Sequence, residues 1–247
     1  MSIAVKICGL NSKDVVEAVI KSGADYAGFV HFQKSPRHQS VSQITNFIKL
    51  LPKNIKSVVV MVNPDDTLLT EIAKEAKPDF FQLHGSETSE RLQEIRNKFP
   101  DIGIIKAISV RNTEDIKNSA IFSDLCDFLL FDARASDNSI IQGGNGIAFD
   151  WNLFDKLDNE HIPSESWDPE AQNQLQAGVK SYLPLGTDFR RYYKNWFLAG
   201  GLNAKNVKEA IAKTGAKMVD VSSGVETSAG VKDAALIDEF IKVAKQC

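Results

Sequence analysis

The chain is short of cysteine, of long apolar runs and of any dominant charge. Three cysteines in 247 residues, Cys8, Cys126 and Cys247, are too sparse and too odd in number for a secreted disulfide framework, so a reducing compartment is expected. No stretch approaches the roughly 20 apolar residues of a membrane-spanning helix. Met1 to Leu10, a short apolar run interrupted by Lys6, lacks the charged-then-apolar order of a signal peptide and reads as a first strand. A cytoplasmic protein with no membrane partner is the expectation. The 29 basic and 32 acidic residues give a net charge of −3, and the pI is about 5.9. No basic field is left to hold a nucleic acid backbone. A Walker loop, a Rossmann fingerprint and a nucleophilic-serine elbow are also missing. The four histidines, His31, His38, His84 and His161, show no close metal spacing, so no metal is expected.

What is present is a globular composition, 43% hydrophobic and 25% charged, sufficient for a substantial core. Short β-branched and aromatic runs alternate with longer segments of helical spacing, the sequence form of repeated βα units on a parallel sheet. The strand-like runs are Ile3–Cys8, Tyr26–Phe32, Ser57–Val62, Phe80–Leu83, Gly103–Ala107, Phe128–Asp132, Trp196–Ala199 and Met218–Val221. Helical patterns fall between them at Asn11–Ser22, Val41–Leu51, Asp65–Ala76, Glu87–Phe99 and Asn203–Thr214, and a last one, Lys232–Lys245, follows. Eight such units predict an α/β fold of one (β/α)8 barrel, whose usual length is near 250 residues. Asn11, Ser40, Asn112 and Asn203 are placed to cap helix starts, and Gly23 and Gly215 to end helices in the left-handed conformation.

One stretch breaks the rhythm. From Leu157 to Asn195 the spacing to the next strand is overshot, and Pro163, Pro169 and Pro184 fall inside, so it reads as an insertion in the barrel between the sixth and seventh strands. Its acidic first part, a possible helix from Asp168-Pro169-Glu170, and the cluster Arg190-Arg191-Tyr192-Tyr193-Lys194 carry no functional assignment. So short a basic and aromatic cluster reads as a packed surface, not as a nucleic-acid site.

In an α/β barrel the chemistry sits at the C-terminal ends of the strands. The polar residues falling there are Cys8, His31, Arg37, His84, Asp132 and Asp220. A strand cysteine is commonly inert core, but its thiolate is a usable base where its pKa approaches neutrality. Asp132 ends an apolar strand and leads to Arg134 and the glycine-rich Gln142–Gly146. It reads as an active-site acid beside a lid or as a loop anchor bonded to backbone or Arg134. Gly200-Gly201 and Ser223-Gly224 end the last two strands, where barrels commonly cradle phosphate with backbone N–H groups. A phosphorylated small substrate follows. Arg37 could meet a carboxylate in bidentate fashion or be merely solvated, and His84 reads equally as a ligand contact or a satisfied loop histidine. Cys126 and Cys247 read as a core residue and a chain end.

Lys6-Ile7-Cys8-Gly9, Gly28-Phe29-Val30 to Ser35-Pro36-Arg37, Gln82-Leu83-His84-Gly85, Phe131-Asp132 with Gly143-Gly144 and Phe149-Asp150-Trp151, Leu198 to Leu202, and Asp220 to Glu226 together resemble the phosphoribosylanthranilate isomerases of tryptophan biosynthesis. The resemblance runs in order along the chain, apart from Leu157 to Asn195. It implies an Amadori rearrangement of N-(5′-phosphoribosyl)anthranilate with Cys8 as general base and Asp132 as general acid. It further implies Arg37 at the anthranilate carboxylate, His84 and Asp220 placing the substrate, and Gly200, Gly201, Ser223 and Gly224 at the phosphate. The implied chemistry needs no cofactor.

Two alternatives stand beside this. The related histidine-pathway ribotide isomerases perform the same rearrangement, but they resemble doubled half-barrels with an aspartate where Cys8 stands. A catalytically silent phosphosugar-binding barrel is the other, disfavoured by the presence of both Cys8 and Asp132. Sequence leaves monomer and homodimer undecided.

Overall fold

The computed structural model describes residues 2–133, 150–154 and 195–247. Eight parallel strands close into a barrel in chain order: β1 Ala4–Cys8, β2 Tyr26–Val30, β3 Lys56–Met61, β4 Phe80–Leu83, β5 Gly103–Val110, β6 Phe128–Ala133, β7 Trp196–Leu198 and β8 Met218–Val221. β1 pairs with both β2 and β8, which completes the ring. The predicted (β/α)8 barrel is therefore the fold. Most of the segment read as inserted, together with Arg134, Gln142–Gly146 and His161, lies outside the described residues.

Helices α1 Lys13–Ser22, α2 Val41–Ile48, α3 Asp66–Glu75, α4 Ser89–Lys98, α5 Thr113–Asn118, α6 Val207–Thr214 and α7 Ala234–Lys245 connect or follow the strands. Their apolar faces pack on outward-pointing strand residues such as Val5, Ile7, Phe29, Val59 and Phe81, all fully buried. Ser40 forms a capping box with Gln43, and Asn112 accepts from the Asp115 N–H, as expected. Gly23 and Gly215 end α1 and α6 at φ 77° and 68°. Two expected caps are displaced. Ser12 caps α1, because its hydroxyl reaches Val15 N, while Asn11 donates to the Gly230 carbonyl at 2.6 Å. α6 begins only at Val207, since Asn203 bonds the Lys205 N–H in a preceding turn.

Two further boundaries differ. Glu87 and Lys232, read as the first residues of helices, are instead buried and ion-paired ahead of them, to Lys106 and Glu226. Lys232 lies on a small antiparallel hairpin that the sequence reading did not anticipate, β9 Glu226–Ser228 with β10 Val231–Lys232.

The alternation along each strand fills the interior. At the N-terminal end, Tyr26, Phe80, Phe128 and Phe197 meet mostly edge to face, with ring centroids 5.2 to 6.2 Å apart. This aromatic floor closes the barrel below, so polar interior side chains can open only toward the C-terminal ends. No helix among the described residues is long and apolar enough to cross a membrane.

Candidate active site

A cleft of about 710 Å³, counting its solvent-open part, occupies the C-terminal mouth of the barrel. Cys8, Arg37, His84, Asp132, Gly200, Gly201, Asp220 and Ser223 line it. The sulfur from β1 and the carboxyl from β6 both open on this pocket. Gly224 stands just behind its wall. A Cβ there would lie 1.8 Å from the Leu202 carbonyl oxygen, so only glycine lets the loops after β7 and β8 approach this closely. Gly200 and Gly201 both take positive φ, 87° and 62°, the region in which a side chain is strained. The Gly201 carbonyl is tied back by Asn206 Nδ2 at 3.0 Å.

Cys8 is 6% exposed, ending a strand whose interior face also carries Lys6. Burial pushes its thiol above the ordinary range; Lys6 pulls down, Asp220 pushes up, and Lys232 pulls down. Lys6 is wholly buried, with Nζ 2.8 Å from Asp220 Oδ1. Its burial disfavours the ammonium, yet Asp220 and Cys8 together hold the pKa above the ordinary lysine value. Asp220 is thus a fixed wall of the cleft.

Asp132 is buried, and its Oδ2 lies 3.5 Å from His84 Nε2, across the cleft wall from β4. That nitrogen is itself buried with no hydrogen bond among the described residues. The loop bearing His84 is locked below by a second ion pair: Glu87 accepts from the Asn63 and Gly85 N–H groups, and Lys106 Nζ reaches Glu87 at 2.9 Å and the Gly85 carbonyl at 2.8 Å. His84 is therefore presented rigidly to the pocket.

Arg37 is not the solvated loop arginine its sequence context allowed. Its Nε and Nη2 grip Glu226 at 2.7 and 2.8 Å, both side chains being buried. Glu226 also receives Lys232 Nζ at 2.5 Å and the Gly230 N–H at 3.2 Å. Burial pushes the Glu226 carboxyl up, but Arg37 and Lys232 more than offset it and hold the group below the usual range.

His31, the remaining strand-end candidate, does not line the cleft: its Nδ1 faces the Gln39 carbonyl at 2.9 Å and its ring rests on His38. Cys126 is buried, with its thiol pushed up to about 12, chiefly by burial, as suits an inert core residue; Cys247 is exposed. The site residues missed in the sequence are Lys6, Gln82, Glu226 and Lys232. Gln82, on β4, lines the cleft with its Oε1 buried and unpartnered among the described residues. A signal for two of them existed: Lys6 and Gln82 stand two residues before Cys8 and His84, and strand parity puts each pair on one face.

The arrangement offers a thiol, a carboxyl, an imidazole and an amide around one pocket, and glycine backbone at the ends of β7 and β8. Comparison with known proteins points the same way. The family described as N-(5′-phosphoribosyl)anthranilate (PRA) isomerase matches residues 5–166 and 183–243. The N-(5′-phosphoribosyl)anthranilate isomerase of Parvibaculum lavamentivorans is 39% identical over 248 residues, covering 100% of both chains. That of Zymomonas mobilis is 38% identical, with 99% of each covered. Among solved structures, phosphoribosyl anthranilate isomerase from Thermotoga maritima superposes with a TM-score of 0.77 at 29% identity, covering 99% of this chain and 100% of the other. A phosphoribosyl anthranilate isomerase in complex with reduced 1-(o-carboxyphenylamino)-1-deoxyribulose 5-phosphate gives 0.75 at 28% identity, with 99% and 100% covered.

Proposed function

The chain belongs to the N-(5′-phosphoribosyl)anthranilate isomerase family and is an isomerase of tryptophan biosynthesis, and we propose that Cys8 and Asp132 carry its two proton transfers. The observation that carries this assignment is the opening of both side chains on one cleft, from strands three apart around the barrel. Asp132 gives its proton to the furanose ring oxygen of N-(5′-phosphoribosyl)anthranilate. The C1′–O bond breaks and the nitrogen lone pair forms an iminium at C1′. Cys8 as thiolate removes the C2′ proton, made acidic by that iminium, and the electron pair left behind forms the enolamine. Protonation at C1′ and loss of the 2′-hydroxyl proton give the aminodeoxyribulose phosphate.

The other residues hold the substrate. The backbone of Gly200, Gly201, Ser223 and Gly224 cradles the phosphate, a role supported by their place at the ends of β7 and β8 and by the phosphorylated ligand of the related structure. Arg37 meets the carboxylate of the anthranilate ring, and Asp220 and His84 orient the sugar chain. Gln82, whose amide oxygen has no partner among the described residues, accepts from a sugar hydroxyl. None of these steps draws on a cofactor. Positioning of a tethered sugar between acid and base supplies much of the rate.

Steady-state turnover, followed by loss of the substrate's fluorescence, tests this reading. Cys8→Ser and Asp132→Asn each lower kcat by about 10²- to 10⁴-fold, with KM and the circular dichroism spectrum retained. Wild-type turnover in either purified variant removes that residue from the mechanism.

A further inference from the structure

We propose that Lys6 is a positioning residue for this reaction: its ammonium, clamped inside the barrel by Asp220, is the fixed positive charge against which Cys8 becomes a thiolate. The inference rests on the reading of Cys8 as the base. Lysine is among the side chains least often fully buried, yet Lys6 has no exposed surface and sits in an interior otherwise floored by aromatic rings. A buried ion pair recovers its desolvation cost poorly, and apolar residues of similar volume commonly serve stability as well or better. Packing alone therefore does not account for it.

The placement accounts for it better. Lys6 and Cys8 are two residues apart on β1 and project from the same face. On the neighbouring strand stands Gly28, paired with Cys8 in register. A Cβ at Gly28 would lie 3.1 Å from Lys6 Nζ and 3.0 Å from Cys8 Sγ. Both groups thus converge on the one space that β2 leaves open, and a side chain at position 28 would fill it. Asp220 on β8 holds Nζ at 2.8 Å from the other side, fixing the ammonium beside the sulfur.

Among the described residues, the remaining charged and titratable groups around Cys8 are Lys232 on β10, Arg37 and Glu226 beside the mouth, and Asp132 and His84 across the cleft. Burial disfavours the thiolate, Lys6 is the strongest opposing influence, and Asp220 acts against it. Removing the ammonium leaves the Asp220 carboxylate facing the sulfur without its counter-charge. Removing the carboxylate leaves the ammonium uncompensated. The two changes thus push Cys8 in opposite directions, although each breaks the same ion pair.

The test is the pH dependence of Cys8 alkylation by iodoacetamide in the full chain, read by mass spectrometry of the Cys8 peptide so that Cys247 is counted separately. Only the thiolate reacts. Lys6→Gln, which keeps a donor for Asp220 but no charge, raises the midpoint by about one to three pH units. The rising limb of its kcat/KM profile moves up by the same amount. Asp220→Asn lowers the alkylation midpoint. An unchanged midpoint in Lys6→Gln, or shifts of the same sign in both variants as mere loosening of the barrel would give, overturns the proposal. Should Lys6→Gln not fold, Asp220→Asn decides alone, and a midpoint that fails to fall is the negative result. Full turnover in Cys8→Ser alongside the expected alkylation shifts would leave the charge coupling standing and remove the base assignment.

Discussion

Arg37 reaches the mouth of the cleft with its guanidinium gripped by Glu226, in a two-bond fork at 2.7 and 2.8 Å. Such a fork fixes the plane of the guanidinium and the directions of its other N–H groups. With Arg37 proposed to meet the substrate carboxylate, the role this fork gives Glu226 is to orient Arg37 for that contact. Glu226→Gln loses one of the charged bonds, and about a tenfold rise in KM is expected, with kcat changed much less. A phosphoribosyl substrate made from aniline, which has no carboxylate, feels little of this. An equal rise for both substrates would place the effect elsewhere. The same carboxyl has a signature in stability. Its folded pKa lies below the unfolded value, so its contribution is present above the ordinary glutamate range and is lost as pH falls through the folded value. Wild-type stability therefore drops on acidification more steeply than that of Glu226→Gln.

At the scale of the elements, one device recurs at the floor of the barrel. Asp25, before β2, accepts the Val5 N–H of β1 at 2.8 Å; Asp79, before β4, accepts the Ser57 N–H of β3 at 2.8 Å; Asp127, before β6, accepts the Ile104 N–H of β5 at 2.7 Å. Each carboxylate satisfies the buried N–H of the second residue of the preceding strand and ties together an odd and even pair. At Asp79, burial pushes the carboxyl up, but Lys56 and Ser57 together hold it below the usual range. Asp79→Asn is expected to cost about 1–2 kcal/mol at neutral pH. The folded pKa being the lower one, the difference from wild type shrinks below about pH 4; urea denaturation at both pH values measures it. A constant difference would mean the charge is irrelevant to the bond. The repeat passed unnoticed in the sequence because the aspartates themselves are ordinary turn residues, and the partner is a backbone atom some 20 residues away. Strand positions were legible, since Tyr26, Phe80, Phe128 and Met218 open runs whose β-branched and aromatic content is local. The placement of Cys8, His84, Asp132 and Asp220 around the mouth was legible too, because the barrel dictates where strand-end residues gather. Lys232 and Glu87 were not: helical spacing continued through them, and only tertiary pairing with Glu226 and Lys106 shows that they lie before the helices. Glu226 was quoted in its motif, but its use depends on Arg37, 189 residues earlier.

Across the whole molecule, the barrel divides its interior into an aromatic floor and a mouth that carries the polar cleft. Tyr26, Phe80, Phe128 and Phe197 interlock below, while Lys6, Gln82 and Asp220 begin the polar region above them. The division is physical. Aromatic rings exclude water from one end, so the charged groups are solvated only through the cleft, and their fields act on whatever occupies it. Substitutions should then separate into two classes. Phe197→Ala removes a fully buried ring and should cost about 3–5 kcal/mol of stability, seen as a lower urea midpoint. At a temperature where the variant stays folded, its kcat and KM should remain within about twofold of wild type, because Phe197 does not line the cleft. Asp132→Asn should do the reverse, sparing the denaturation midpoint and removing turnover. A Phe197→Ala protein that unfolds normally but binds substrate poorly would mean that packing at the floor sets the shape of the mouth, and that the two ends of the barrel are one mechanical unit.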